Sequence, residues 1–222
     1  VGTEDFTRRL SEKISEKGGI AGQIPLLRIV KKSDRELKEK IEKLGDYGIL
    51  AFTGRNSVRI FMESLLMSGR DIRALSGLKI AAIGSATADF MMEDYHIKAD
   101  LIPEEFNSDA FAELLIKEIR KEDYSAPKKI LLPRAEKGSE IIAKILSGSG
   151  IELDEIKVYD TITEDDIDIN ISFKENYKNY IVFASAAGVD SFFEKRAGLP
   201  DGIKKIAIGK YTGEALIRHG IS

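Results

Sequence analysis

The stretch Lys79–Asp89, KIAAIGSATAD, places hydroxyl side chains directly after a short apolar run. The run ends at Gly84, Ser85 and Thr87 follow, and a helical pattern begins. This order predicts a strand, a tight turn and a helix, with Gly84 allowing the bend and Ser85 capping the helix. The unpaired N–H groups of a first helical turn favour an anion. The pattern recurs at Lys204–Ala215, KKIAIGKYTGEA, so the chain carries two predicted anion-binding corners.

Further polar residues follow other predicted strands. Thr53, Arg55 and Asn56 follow one strand, and Arg134 and Lys137 follow another. Because α/β sheets bind ligands at the carboxyl ends of their strands, these side chains are candidate ligand contacts. In the alternative interpretation, Asn56 only caps a helix while Arg55 is solvated, and Arg134 and Lys137 are a solvated surface pair.

The residue types argue against metal and triad chemistry. The chain has no cysteine, which excludes disulfides and thiolate metal sites. His96 and His219 each lie near the end of a predicted helix, where a surface histidine interacts favourably with the helix dipole. We therefore expect neither a metal site nor a Ser–His–Asp triad.

The composition indicates an ordinary globular protein. Of 222 residues, 43% are hydrophobic and 32% are charged, and the net charge is −3. Lys and Arg alternate with Glu and Asp as on solvated helices, so we expect no nucleic-acid partner. No apolar run of about 18 residues predicts a membrane span, and no signal peptide is visible. Together with the lack of cysteine, this favours the cytoplasm.

Strands and helices alternate along the chain, which predicts an α/β fold with parallel sheets. The start predicts an amphipathic helix that stops at Gly18–Gly19. Strands are predicted at Ile49–Thr53, Lys98–Ile102 and Lys129–Leu132, the last with a turn at Pro133–Arg134. The strand count is about twice that of a small five-stranded sheet. The reason is an internal repeat: ILAFTGRNSVRIFME matches YIVFASAAGVDSFFE at one constant offset. The alignment of the two halves of the repeat also predicts a strand before Val1 and further helices or strands after Ser222.

Seven segments, in this order, resemble the uroporphyrinogen-III synthase family over essentially the whole chain. They are AFTGRNSV (51–58), AAIGSATAD (81–89), IPEEFNSDAFAELL (102–115), ILLPRAEKGSEIIAKIL (130–146), KVYDT (157–161), VFASAAGV (182–189) and AIGKYTGEAL (207–216). The resemblance implies two similar parallel-sheet domains, flavodoxin/Rossmann-like, with a two-stranded connection. The first would be discontinuous, comprising 1–32 and 163–222, and the second would comprise 33–162.

The resemblance implies a lyase of tetrapyrrole biosynthesis. Such an enzyme dehydrates hydroxymethylbilane and closes the ring with the last pyrrole inverted, without a cofactor. It would act as a monomer and receive its substrate from hydroxymethylbilane synthase. The alternative is a two-domain regulatory module that binds tetrapyrroles or other carboxylates without catalysis. A generic nucleotide-binding protein is a third interpretation, but the chain lacks GxGxxG and GxxxxGK[ST] in the right context.

The resemblance also implies which residues contact the substrate. The threonine that the family has after the strand–turn–helix corner matches Thr87. The internal repeat relates Thr212 to Thr87 and Ser185 to Gly54. The remaining expected substrate contacts are Thr53, Arg55, Asn56, Ser85, Arg134, Lys210 and Tyr211. The sequence departs from the family at Gly54–Arg55, where a pair such as Ser-Pro is frequent, and at Lys210–Tyr211, where small residues are common. Capping and surface solvation are the alternatives at these positions.

Tyr159, in KVYDT, is the expected catalytic residue, since the family's tyrosine at this motif faces the substrate cleft. A phenol is protonated at neutral pH and donates a hydrogen bond to a departing hydroxyl. The alternative is a strand tyrosine that only packs. We expect no single indispensable acid, because the dehydrated bilane is reactive and catalysis is mostly a matter of conformation.

Overall fold

The computed structural model describes residues 1–164, 167, 169, 178–196, 199 and 202–221. It shows an α/β fold in which parallel strands alternate with helices, as predicted. The helices are α1 (Glu4–Glu16), α2 (Arg35–Glu42), α3 (Arg55–Met67), α4 (Ser85–Tyr95), α5 (Ser108–Ile119), α6 (Ile141–Ser147), α7 (Ala186–Lys195) and α8 (Lys210–Arg218). The strands are β1 (Leu27–Lys31), β2 (Ile49–Phe52), β3 (Lys79–Ala82), β4 (Lys129–Ala135), β5 (Glu152–Thr163), β6 (Tyr180–Phe183) and β7 (Lys204–Ala207). None of the described helices is both long and apolar enough to cross a membrane.

The chain divides into two compact units. Unit 1 comprises Val1–Ile29 and Thr161–Ser222, and unit 2 comprises Val30–Asp160. The chain passes from one unit to the other within β1 and within β5, which are neighbours in the sheet. Each unit is therefore described separately.

Unit 2 is built on a parallel sheet. The strand order is β1-β5-β4-β2-β3, and β4 pairs in parallel with both β5 and β2, as β2 does with β3. All four residues of β2 are buried, which is typical of a parallel strand covered on both faces. Leu115, Ile130 and Leu132 belong to the core packed against this sheet.

Strand β4 is longer than the sequence predicts. We expected a turn at Pro133 and Arg134, but both residues lie inside the strand and pair with Ile156 and Lys157 of β5. A proline is tolerated there because the pairing of β4 with β2 involves only Ile130 and Leu131, so no ladder bond to β2 is lost at residue 133.

The segment Lys98–Ile102 was expected to be a strand. The structure instead has one isolated parallel bridge, between Ala81 and Leu101. The Asp100 side chain accepts a hydrogen bond from the Ile80 N–H at 2.8 Å, which takes a backbone donor of β3 and shortens the possible ladder.

Two predicted helix caps are wrong. Helix α4 includes Ser85, and helix α3 begins at Arg55, so Gly84 and Gly54 occupy the cap positions rather than Ser85 and Asn56. Gly84 also has an extended backbone that any residue adopts, so it is not needed for a bend. A Cβ at Gly84 would lie 3.1 Å from Cγ of Phe106, so a larger residue here would require the Phe106 side chain to shift.

Unit 1 contains the parallel pair β6 and β7 and the first residues of the chain. The Ala184 N–H donates to the Val1 C=O at 3.0 Å, and the Leu27 N–H donates to the Gly2 C=O at 3.1 Å. The first three residues therefore extend this sheet between β6 and the start of β1. The core includes Leu26, Phe183, Phe192 and Leu216.

The internal repeat has a structural counterpart in the two units. Phe52 and Phe61 form a T-shaped pair with ring centroids 5.6 Å apart. Phe183 and Phe192, at the repeated positions, form the same arrangement at 5.4 Å. The backbone bonds at the two corners also match, since the Ile83 N–H donates to the Phe52 C=O and the Ile208 N–H to the Phe183 C=O.

Candidate functional site

The carboxyl ends of β2 and β3 lie side by side in unit 2. Phe52 and Ala82, the last residues of these two strands, are paired in register. The loops that follow therefore meet at one edge of the sheet, which we call the unit 2 edge, comprising residues 53–56 and 84–87. Thr53 is partly buried there, and Ser85 is exposed in the first turn of α4.

Arg55 links the two loops of the unit 2 edge. Its Nε donates to the Ala86 carbonyl at 3.0 Å. Its guanidinium carbon lies 5.9 Å from the centroid of the Phe90 ring, within range of a cation–π contact. Arg55 is thus not simply solvated, because it ties the first turn of α3 to the first turn of α4.

Thr87 is 5% exposed, and its N–H donates to the Gly84 carbonyl at 3.1 Å. Its burial leaves little of the side chain accessible in this structure. The backbone of the corner, rather than the threonine side chain, is the more exposed part, since Ser85 and Ala86 are both exposed.

Tyr159 faces the unit 2 edge from β5. Burial raises the pKa of Tyr159 above its ordinary value, while a hydrogen bond with the Asn56 side chain and the positive charge of Arg134 act in the opposite direction. Because the Asn56 hydrogen bond lowers the pKa of the phenol, it favours the ionised form, and the Asn56 amide nitrogen is its donor. The Asn56 Oδ1 accepts from Arg59 at 3.3 Å. The raised pKa keeps the phenol protonated at neutral pH.

Arg134 is 4% exposed and already binds a carboxylate of the protein. Its Nη1 lies 3.0 Å from Oε2 of Glu155 on the neighbouring strand. Its alternative interpretation as a solvated surface residue is therefore wrong. Lys137, by contrast, is exposed beyond the end of β4.

The expected site residues of unit 1 lie at the ends of β6 and β7. Ser185 caps α7, and its Oγ accepts from the Gly188 N–H at 3.2 Å. Lys210 and Tyr211 are exposed in the first turn of α8, with Tyr211 69% exposed, whereas Thr212 is 5% exposed.

The two histidines lie outside these groups. His219 Nε2 is 2.8 Å from Oδ1 of Asp190, and its ring stacks on Phe193. His96 follows α4 in a left-handed conformation. Within the described ranges, no cluster of His, Cys, Asp or Glu could hold a metal ion.

Two residues of this region did not emerge from the sequence. Glu155 was not recognised as the partner of Arg134, although strand alternation from Tyr159 through Lys157 places it on the same face of β5. Phe106 packs on Gly84, and a large aromatic residue within the loop IPEEFNSD was the available signal.

Parallel strands followed by hydroxyl, amide and phenol side chains place this chain among the α/β proteins, a class that generally binds small molecules at the carboxyl ends of its strands. The family model described as uroporphyrinogen-III synthase HemD matches residues 8–222. The chain therefore belongs to the uroporphyrinogen-III synthase family. The resemblance noted in the sequence is confirmed.

A curated relative agrees with this family. The chain is 27% identical over 216 residues to a porphyrin biosynthesis protein HemD of Ruminiclostridium josui. The match covers 96% of this chain but 42% of that protein, so the chain spans less than half the length of this relative.

Two solved structures share the fold. A mutant uroporphyrinogen III synthase of the extremely thermophilic bacterium Thermus thermophilus matches with a TM-score of 0.62 and 16% identity, over 98% of this chain and 87% of that chain. A uroporphyrinogen-III synthetase of Helicobacter pylori matches with a TM-score of 0.57 and 19% identity, over 89% of this chain and 82% of that chain. At these identities the likeness shows the α/β fold.

Proposed function

We propose that this chain is a uroporphyrinogen-III synthase, a cyclising lyase that converts hydroxymethylbilane to uroporphyrinogen III. The match of the family model to residues 8–222 carries this proposal. The reaction breaks the C–O bond of the terminal hydroxymethyl group and releases water. The ring closes through a spiro-pyrrolenine, with the last pyrrole inverted, and a proton is lost.

Tyr159 is the proposed catalytic residue. Its hydroxyl donates a hydrogen bond to the departing hydroxyl group, which leaves as water. Burial supports this role because it raises the pKa of the phenol and keeps the proton in place. Asn56 and Arg134 act as positioning residues, since the first hydrogen-bonds the phenol and the second places its charge nearby.

The substrate carries eight carboxylates, and the net charge of the chain is −3. The overall field therefore cannot attract it, and recognition must be local. Arg55, Thr53 and the corner at Ser85 and Thr87 are the proposed contacts of unit 2. First-turn N–H groups of α3 and α4 supply further donors, since both helices are long enough to carry a dipole.

Ser185, Lys210, Tyr211 and Thr212 are proposed substrate contacts of unit 1. Lys210 supplies a cation and Tyr211 a phenol, both exposed in the first turn of α8. Arg134 is proposed to act through Tyr159 and not to bind a substrate carboxylate directly. The reason is that its guanidinium already forms an ion pair with Glu155.

We also propose that the chain forms two flavodoxin/Rossmann-like domains. The first comprises 1–32 and 163–222, the second comprises 33–162, and the chain passes between them in β1 and β5. We further propose a cytoplasmic monomer that receives hydroxymethylbilane from its synthase. The alternative of a non-catalytic tetrapyrrole- or carboxylate-binding module is not favoured.

The test supplies freshly made hydroxymethylbilane and separates the oxidised products by chromatography. The expected product is the type III isomer, formed faster than the spontaneous type I isomer. Type I alone, at the rate seen without protein, would refute the proposed activity.

A further inference from the structure

We infer that Phe106 contacts a pyrrole ring of the substrate at the unit 2 edge and thereby contributes to its binding. This inference rests on the proposed function and adds a residue to it. Phe106 lies in the loop between Leu101 and α5, outside the set of polar residues already considered.

The first observation is that the Phe106 ring is largely exposed although it packs on Gly84. Phe106 is 61% exposed, while Gly84 beneath it is buried. A Cβ at Gly84 would lie 3.1 Å from Cγ and 3.2 Å from Cβ of Phe106. The glycine therefore accommodates the phenylalanine, and one part of the ring covers the corner while the rest faces solvent.

The second observation is that the flanking backbone is held in place. The Asn107 N–H donates to the Glu105 carbonyl at 2.9 Å, and Asn107 Nδ2 donates to the Glu105 carboxylate at 3.1 Å. Asn107 Oδ1 also caps α5 by accepting from the Ala110 N–H at 2.9 Å. Pro103, at the start of the loop, is buried. The ring is thus presented by an ordered turn, which limits the entropy lost on binding.

The third observation is the position of the ring next to the polar groups of the edge. Phe106 packs on Gly84, Arg55 binds the Ala86 carbonyl two residues later, and Asn56 reaches Tyr159. These contacts form one continuous series within unit 2. The polar members suit the carboxylates of the substrate, and Phe106 supplies an apolar surface for a flat pyrrole ring.

The test compares KM and kcat for hydroxymethylbilane in Phe106→Ala, Phe106→Trp and wild-type protein. We expect Phe106→Ala to raise KM about tenfold and to leave kcat within about threefold of the wild-type value. The reason is that the ring contributes apolar contact area to substrate binding and takes no part in proton transfer. Phe106→Trp should stay within about threefold of wild-type KM, since it keeps a flat aromatic surface. The matched control is Met92→Ala, which removes an exposed apolar side chain from α4, and it should leave both constants unchanged.

A second measurement separates this inference from the proposed activity. The reduced product uroporphyrinogen III is titrated into wild-type protein and Phe106→Ala, with folding of both verified by circular dichroism. Weaker binding by Phe106→Ala supports the ring contact even if the wild-type forms no type III isomer. Equal affinity for the two proteins, no binding by wild-type, or an unchanged KM in Phe106→Ala would overturn it.

Discussion

At the scale of single residues, the side chains of the candidate site interact with one another and alter one another's pKa and hydrogen bonding. Arg134 was expected to bind a substrate carboxylate, yet it pairs with Glu155 and lies close enough to Tyr159 to oppose the rise in its pKa. Asn56 was expected to contact substrate, with helix capping as the alternative. It lies inside α3 and forms a hydrogen bond with the same phenol. Asn56 and Arg134 therefore both interact with Tyr159.

Removal of the Tyr159 hydroxyl tests its proposed role. Tyr159→Phe should lower kcat severalfold or more without abolishing it, because the dehydrated bilane is reactive and positioning remains. Since the pKa of the phenol is raised, wild-type activity should not fall through ionisation of Tyr159 below about pH 10.

The matched control for this change is Tyr124→Phe. Tyr124 donates to the Pro127 carbonyl at 3.2 Å and takes no part in the unit 2 edge. Turnover by Tyr124→Phe should equal that of the wild-type. An equally unchanged turnover in Tyr159→Phe would remove the proposed role of the hydroxyl.

At the scale of elements, the opposite end of the sheet is held by a polar cluster. The Asp154 carboxylate at the start of β5 accepts from Lys40 Nζ of α2 at 2.8 Å and from the Tyr47 hydroxyl. Lys129 Nζ at the start of β4 lies 3.3 Å from the same oxygen. The cluster therefore joins a helix and a loop to the first residues of two adjacent strands.

This cluster predicts a pH dependence of stability. Burial by itself would raise the pKa of Asp154, but hydrogen bonds from Lys40, Tyr47 and Lys129 outweigh it and lower the pKa to about 2. A carboxyl whose pKa is lower in the folded state stabilises that state above its unfolded pKa of about 4. The contribution, about 2 kcal/mol, is lost as the pH falls through 4 towards 2.

Urea unfolding between pH 6 and 2 measures this contribution. The wild-type should lose stability more steeply below pH 4 than Asp154→Asn, which has no carboxyl to protonate. Glu93→Gln, at an exposed position of α4, is a control that should follow the wild-type curve. Parallel curves for wild-type and Asp154→Asn would contradict the role of this carboxyl.

At the scale of the whole molecule, the chain divides into two compact units that share repeated sequence positions. Phe61 in unit 2 and Phe192 in unit 1 occupy repeated positions, and both are fully buried against a neighbouring phenylalanine. Each unit thus has its own core, although unit 1 is assembled from both ends of the chain.

Truncation of these rings tests whether each core supports its own unit. Phe61→Ala and Phe192→Ala should each cost about 3–5 kcal/mol of stability. Hydrogen exchange should show the loss of protection mainly in 30–160 for Phe61→Ala, and mainly in 1–29 with 161–222 for Phe192→Ala. A uniform loss across the chain in both variants would argue against independent cores.

The sequence by itself determined the local elements, the repeat and the family. Hydrophobic periodicity and helix-ending glycines depend on neighbours a few residues apart, and such signals are present in the printed chain. They located α1, β2, α4 and most other elements within a few residues. They also indicated the corner at Gly84, whereas Tyr159 was expected from the family resemblance at KVYDT.

The tertiary structure alone decided which side chains meet. Pro133 and Arg134 lie inside a strand because they pair with Ile156 and Lys157 of β5, and Arg134 forms an ion pair with Glu155 of the same strand β5. Gly84 packs closely against Phe106, which lies in the loop beyond the next helix. Such contacts join residues far apart in sequence, and local patterns give the face or loop of a residue without identifying its partner.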